Sequence, residues 1–317
     1  MHEMSVRRAA HSGPNNWYTN NPKELSSDLE GALRAADQPT SRNAKALICP
    51  HAGYFYSMNT AAYSYVHLEN RDDVKRVFIL GPSHHVGTDK IFLPAPGTKT
   101  YAVPNGDLQL DLEIIDALRA SDAFADNRRF SVQNDEDEHS VEMQLPFLAH
   151  CFKHRSDKPT IVPMVVGNVK HADTRRYAEL LRPYYDDPGN FFVVSSDFCH
   201  WGVRFGFEYL PKCQECGVDG RRKYSQRAQV NRLIESLDKD SMDLLEQKNF
   251  EGWERYLEQT QNTICGRHPI SILMAMVHRD ANVNIKFVHY SQSGDLPDRP
   301  GRCDTCVAYA AGVVSLT

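Results

Sequence analysis

The chain has 317 residues, with 36 Lys and Arg against 41 Asp and Glu, giving a net charge of −5 and a pI near 6.3. That balance argues against the basic face of a nucleic-acid-binding domain, and no run approaches the roughly 18 apolar residues that a membrane span needs. Hydrophobic residues make up 41% and charged residues 24%, ordinary globular usage that supports a full core and argues against global disorder. The opening MHEMSVRRAAHSG has no apolar stretch of the secretory kind, so the 8 cysteines are expected as reduced thiols in the cytoplasm, and also the nucleus.

Taken in chain order, Asn21-Pro22 followed by Leu25, Leu29 and Leu33 predicts an amphipathic helix. Ala44 to Cys49 is a buried strand ended by Pro50, and Ser57 to His67 a helix. Val74 to Leu80 is a second buried strand, stopped by Gly81-Pro82. Ile91 to Leu93 is a short strand, and Leu108 to Leu118 passes from strand alternation into helix. A helix over Ser140 to Phe152, a β-branched strand over Pro159 to Val166, a helix over Ala172 to Tyr184 and a strand over Phe191 to Ser195 follow. Helices fill Arg221 to Leu237, Ser241 to Glu246 and Phe250 to Gln259, and another starts near Pro269. Val283 to Ser291 and Val307 to Leu316 close the chain as strands. Alternating strands and helices imply βαβ units, a largely parallel sheet and helices on both faces, in one domain over residues 1–317 with an ordered core from about residue 8.

Three of these strands run into polar clusters: Pro50-His51-Ala52-Gly53-Tyr54, Gly81-Pro82-Ser83-His84-His85 and Ser196-Asp197-Phe198-Cys199-His200-Trp201. In open α/β sheets ligands bind beyond the carboxyl ends of the strands, so the three His-bearing loops are expected on one rim. His84 and His85 are adjacent and should point to different sides, which leaves one of them for the site. Asp197 and His200, three apart, suit an acid/base histidine with its carboxylate or a ligand with its supporting group. Cys265 precedes a helix that has Pro269 as its expected first residue. The helix N-terminus and Arg267 would both favour thiolate, making Cys265 a soft ligand or a nucleophile. The carboxylate-rich stretch Asp135 to Glu142 reads as a solvated helix start, from which Glu138 and His139 could lean into the pocket. Two C-x-x-C pairs, Cys213/Cys216 and Cys303/Cys306, would form a second zinc site only if their loops meet in space.

The motifs PHAGY (50–54), GPSHH (81–85), DEDEHS-x-EM-x-LP (135–146), SSDFCHWG (195–202), NTICGRHPI (262–270) and AYAAG (308–312) together resemble the Memo family, named for a mediator of ErbB-driven cell motility. The resemblance implies a single three-layer α/β/α domain around a mixed, largely parallel sheet, similar to class III non-haem iron extradiol dioxygenases. It places His51 and His84 at the two histidine ligands, Cys265 where those enzymes have a glutamate, and His200, supported by Asp197, at the acid/base position. A thiolate there suits iron(II) or copper(I), with zinc as an alternative, and ring cleavage of catechols is not expected. The family further implies redox-linked signalling in cell motility and cytoskeletal control, with partners among phosphotyrosine-bearing receptor tails or Rho-type GTPase pathways. On that reading Trp17, Tyr54, His85, Trp201, Glu138 and His139 line a substrate or peptide cleft. Three functions follow: a metal-dependent oxidoreductase, a non-catalytic phosphotyrosine-peptide adaptor, and a zinc hydrolase with His200 as base.

Overall fold

The computed structural model describes residues 5–125, 130–209, 229–297 and 300–317. The strands are β1 (Ser5–Arg7), β2 (Ala44–Cys49), β3 (Arg76–Pro82), β4 (Ile91–Phe92), β5 (Thr98–Tyr101), β6 (Leu108–Gln109), β7 (Thr160–Val166), β8 (Asn190–Ser195), β9 (His200–Trp201), β10 (Val283–Gln292) and β11 (Cys306–Leu316). The helices are α1 (Pro22–Ala35), α2 (Tyr54–Tyr65), α3 (Leu112–Arg119), α4 (Val132–Asp137), α5 (His139–Glu142), α6 (Leu145–Cys151), α7 (His171–Asp186), α8 (Gln229–Glu246), α9 (Phe250–Thr260) and α10 (Arg267–Val277).

Among the described residues the main sheet has the order β10-β11-β2-β8-β3-β7-β4. Its centre, β2-β8-β3-β7, is parallel, and β10, β11 and β4 add antiparallel edges. The fold is therefore mixed α/β in three layers. The central strands are buried on both faces, as their largely apolar sequences require. Helix α2 packs on β2, β10 and β11, while α7 and α10 cover β8 and, with α10, β3. In α1, Leu25, Leu29 and Leu33 form the buried stripe, and the Asn21 side chain caps the helix by accepting from the Lys23 and Glu24 N–H groups. No helix among the described residues is long and apolar enough to cross a membrane.

Several boundaries differ from the sequence expectation for local reasons. Strand β3 does not stop at Gly81-Pro82. It continues through both because Gly81 and Pro82 stay in register with Val165 and Val166 of β7. Helix α2 starts at Tyr54, ahead of Ser57, because the Tyr54 N–H donates to Trp17 O and Gly53 accepts the first helical bonds. The expected helix over 140–152 is two short helices preceded by α4. Glu138 is extended and caps α5 by accepting from Ser140 N, and Pro146 removes an N–H at the start of α6. Helix α10 begins at Arg267, two residues before Pro269. Helix α8 runs unbroken through Asp238-Lys239-Asp240, because Asp238 is buried in side-chain hydrogen bonds and does not end the helix. The part of the expected 221–237 helix before residue 229 lies outside the described residues. The short strands β1, β5 and β9 carry no alternation long enough to read.

Candidate metal centre

The parallel centre of the sheet ends its strands on one side, and each central loop delivers its polar residue two positions beyond the strand. His51 follows β2, His84 follows β3, and Asp197 follows β8. Their convergence is thus a consequence of strand register.

His51 is buried, and its protonation pattern follows from its neighbours. The Gln144 side chain is oriented by Tyr65, whose hydroxyl donates to Oε1 at 2.9 Å, so Nε2 of Gln144 donates to Ser195 Oγ at 2.9 Å. The single Ser195 O–H donates to Ser140 O at 2.7 Å. Ser195 Oγ can then only accept from His51 Nδ1, 2.7 Å away. His51 is therefore the Nδ1–H tautomer, with a bare lone pair on Nε2. That nitrogen faces Cys265 Sγ at 3.1 Å. Burial and then the neighbouring His84 hold the ring well below the usual histidine pKa, so it is neutral at physiological pH.

His84 is oriented by Glu138, which accepts from His84 Nδ1 at 2.9 Å and from its backbone N–H at 2.6 Å. Its Nε2 is left free. Burial works against the Glu138 charge, yet the contacts with His84 hold that carboxyl well below its ordinary range. His139 is stacked between two rings, His84 at 4.4 Å and Trp17 at 4.2 Å. Its Nδ1 is buried without a hydrogen-bond partner, and burial, followed by His51 and His84, pushes its pKa down to about 2. A buried imidazole nitrogen with no partner is costly unless something else satisfies it.

On the other side of His51, Asp197 Oδ1 accepts from the backbone N–H groups of His51 and Ala52, and Cys265 Sγ accepts from Asp197 N at 3.3 Å. Gly266 lets this helix start meet the end of β8: an added Cβ would lie 2.3 Å from Ser196 Cβ and 2.5 Å from Ser195 O. The expectation of a thiolate favoured by the helix terminus and Arg267 is overturned. Burial and then the Asp197 carboxylate push the Cys265 thiol up, and an Arg267 guanidinium nitrogen donates to Ile264 O. The thiol proton then has two acceptors in reach, His51 Nε2 at 3.1 Å and the Asp197 carbonyl at 3.6 Å. His200 Nδ1 sits 2.9 Å from Phe198 O and 3.0 Å from Thr263 O, so it carries the proton and Nε2 is bare.

Among the described residues two donor sets result, each with one donor atom per residue within 4.8 Å of the others: His51, His84 and His139, and His51, Asp197 and Cys265. His51 is common to both. The sets fit a transition metal in their chemistry: imidazoles turned by second hydrogen bonds so that Nε2 is the outward nitrogen, one orphaned nitrogen, a carboxylate and a thiol. His84 and Cys265, grouped with His51 by the sequence resemblance, fall in different sets, and His139 joins the imidazoles.

The remaining sequence-named residues are spread more widely. Trp17 is half-buried over His139, and His85 is exposed with its ring 6.2 Å from that of His139. Tyr54 is buried with its hydroxyl donating to Met143 O, and Trp201 is 3% exposed with an unpartnered indole N–H. Cys303 is exposed and Cys306 buried, while Cys213 and Cys216 lie outside the described residues.

The acidic stretch is not solvated, as the sequence suggested: Asp135, Glu136, Glu138 and Glu142 are all buried. Their partners come from the N-terminal segment, where no motif points to them. Arg7, fully buried, donates to Glu142 Oε2 at 2.5 Å, Asp135 Oδ1 at 3.3 Å and the Glu138 carbonyl at 3.1 Å. Arg8 forks onto Glu136, and Glu142 also accepts from His11 and the Tyr18 hydroxyl. This ion network ties residues 7–18 across the site and places Trp17 on His139. The adjacent arginines Arg7-Arg8 were the available sequence clue, but nothing local to them names partners so far along the chain.

A sequence model for the family described as "Memo-like protein" matches residues 7–313. The chain is 38% identical over 314 residues to Protein MEMO1 of Homo sapiens, covering 98% of this chain and 97% of that protein. It is 38% identical over 316 residues to Protein MEMO1 of Danio rerio, covering 98% of each. It is also 38% identical over 314 residues to the Protein memo-1 homolog of Caenorhabditis elegans, covering 98% of this chain and 82% of that one.

Proposed function

This chain belongs to the Memo family, and on that premise we propose that it binds an iron or copper ion around His51 and acts as a redox-linked signalling protein of cell motility and cytoskeletal control. The observation that carries the reading is the His51 lone pair. The Gln144–Ser195–Ser140 chain forces the proton onto Nδ1, so Nε2 meets Cys265 Sγ and the imidazole cluster bare and neutral. A buried lone pair held in this way is a ligand prepared at the cost of folding. His84, more exposed than His51, is likewise oriented through Nδ1, by Glu138. The mixed nitrogen and sulfur donors suit copper(I), iron(II) or zinc, and a bound ion would supply Lewis-acid or one-electron chemistry.

The residues around the ion would have separate tasks. Asp197 and Glu138 fix the loops, His200 offers a bare Nε2 that can take up a proton, and Trp17 with His139 restricts entry. Thiol in place of carboxylate changes the charge and open positions needed for bidentate catechol beside oxygen, so extradiol cleavage is not expected. A second reading, a peptide adaptor for phosphotyrosine, is favoured by aromatic side chains outside the site: Phe55 is 91% exposed and Tyr56 54%.

Metal analysis of tag-free protein, purified without chelator, tests the first reading. Stoichiometric iron or copper is expected, with no ring cleavage of catechol when iron(II) is supplied anaerobically and oxygen then admitted. Protein that carries neither metal and takes up neither on incubation contradicts the proposal. Ring cleavage at ordinary enzymatic rates, about 1 to 1,000 per second, contradicts the stated limit on its chemistry.

A further inference from the structure

Asp238 lies on α8, away from every donor named above, yet it is fully buried and takes three hydrogen bonds. Its Oδ1 accepts from Cys199 N at 3.2 Å and Asn262 Nδ2 at 2.9 Å, and its Oδ2 accepts from the Tyr290 hydroxyl at 2.9 Å. Cys199 immediately precedes His200, and Asn262 immediately precedes Thr263. These last two are themselves locked together: His200 N donates to Thr263 Oγ1, and Thr263 Oγ1 donates to His200 O, both at 2.8 Å. The Phe198 and Thr263 carbonyls then share the His200 Nδ1 proton. One carboxylate therefore joins two loops, one bearing Asp197 and His200, the other bearing Cys265, alongside their direct bonds from Asp197 N to Cys265 Sγ and from Gly266 N to Ser196 Oγ.

We propose that Asp238 is a positioning residue that sets the spacing of the 197–200 and 262–265 loops. Through that spacing it fixes both the His200 tautomer and the placement of Asp197 and Cys265 beside His51. The inference deepens the metal reading above and rests on it only for the consequence in metal binding. Its own content is geometric. Without an acceptor on α8, Cys199 N and Asn262 Nδ2 lose their common anchor in a buried place where water cannot replace it. The loops then drift until the His200–Thr263 pair loosens, Nδ1 is left with Phe198 O as its one acceptor, and the His200 proton is no longer held on Nδ1 by two carbonyls. Asparagine keeps an acceptor oxygen toward Cys199 and Asn262 and turns its amide toward the Tyr290 hydroxyl, which already accepts from Gln292 Nε2 and has a second lone pair for the amide. The shape of the clamp is thereby preserved.

The experiment uses the metal-free full chain. Long-range nitrogen–proton NMR correlations of the His200 ring, assigned by their disappearance in His200→Gln, report which nitrogen holds the proton. Wild type and Asp238→Asn are expected to show the proton on Nδ1, and Asp238→Leu to show averaged tautomers. A folded Asp238→Leu with the wild-type pattern overturns the proposal, and so does an Asp238→Asn that loses the pattern. Should Asp238→Leu fail to fold, Asn262→Ala removes the tie from the other loop: an averaged ring supports the proposal and an unchanged ring overturns it. In a second arm, copper(I) affinity is expected to fall about 10- to 100-fold in Asp238→Leu, or in Asn262→Ala where that variant stands in, and to stay at the wild-type value in Asp238→Asn. A wild type that binds no metal defeats the functional reading but leaves the tautomer result standing as the test of Asp238.

Discussion

At the scale of single residues, the site is defined by which nitrogen of each histidine is spoken for. His51 gives Nδ1 to Ser195, His84 gives Nδ1 to Glu138, and His200 gives Nδ1 to two carbonyls, so all three present Nε2. His139 has no such partner for Nδ1. Ser195 is accordingly the most informative small substitution. Ser195→Ala removes the acceptor that fixes the His51 tautomer, while Gln144 Nε2 keeps its bond to Pro50 O. Metal affinity, read by competition with a chromogenic chelator, is expected to drop about 10- to 100-fold while the fold is kept. An unchanged affinity would mean that the tautomer lock has no bearing on binding. The histidines and Cys265 were legible in the sequence because each sits in a short polar motif at the end of an apolar run. Ser195, Gln144 and Asp238 were not, since a serine at a strand end, a glutamine in a helix and an aspartate amid charged residues look ordinary until their partners are known. The state of Cys265 was misjudged for a related reason: Arg267 is near in sequence, but its guanidinium turns to a backbone carbonyl, while Asp197, distant in sequence, lies against the sulfur.

At the scale of elements, what matters is how closely a helix start can approach a strand end. Helix α10 begins against Ser195 and Ser196 only because residue 266 has no side chain. Gly266→Ala would place a methyl 2.3 Å from Ser196 Cβ, so α10 must shift and carry Cys265 away from His51. We expect a loss of about 1 to 3 kcal/mol in urea denaturation, together with weakened metal binding. Full stability and full binding would show that the loops absorb the methyl. The longer elements were readable because their apolar patterns are set locally: the leucines of α1 and the apolar runs of β7 and β8. The breaks in α4–α5–α6 were not, because they depend on Glu138 turning out of helical conformation to cap α5 and hold His84.

At the scale of the whole molecule, the N-terminal segment is joined to the body by buried charge. Glu142 gains Arg7, His11 and Tyr18, and although burial opposes its charge, Arg7 and then His11 pull its carboxyl down to about 2 from an ordinary 4.5. A folded-state pKa below the unfolded one contributes stability that is present above pH 4.5 and is lost as pH falls toward 2, a contribution of about 3 kcal/mol. Wild type should therefore exceed Glu142→Gln in urea stability at neutral pH, with the gap closing as pH drops through that window. A gap independent of pH would assign the difference to packing. This network joins residues more than 120 positions apart in sequence, such as Tyr18 and Glu142, and is the part of the architecture that local patterns could not disclose. The mixed sheet, by contrast, followed from strand order and alternation, and its parallel centre put the three histidine loops on one side as expected.

The central claim is that one nitrogen, His51 Nε2, is shared by both donor sets. Anaerobic titration of copper(I) into wild type, His51→Ala, Cys265→Ser and His139→Ala, in competition with a chelator of known affinity, tests it directly. His51→Ala should lose binding to both sets at once, while Cys265→Ser and His139→Ala should each weaken it and leave a measurable remainder. Binding by His51→Ala at the wild-type affinity would contradict the account.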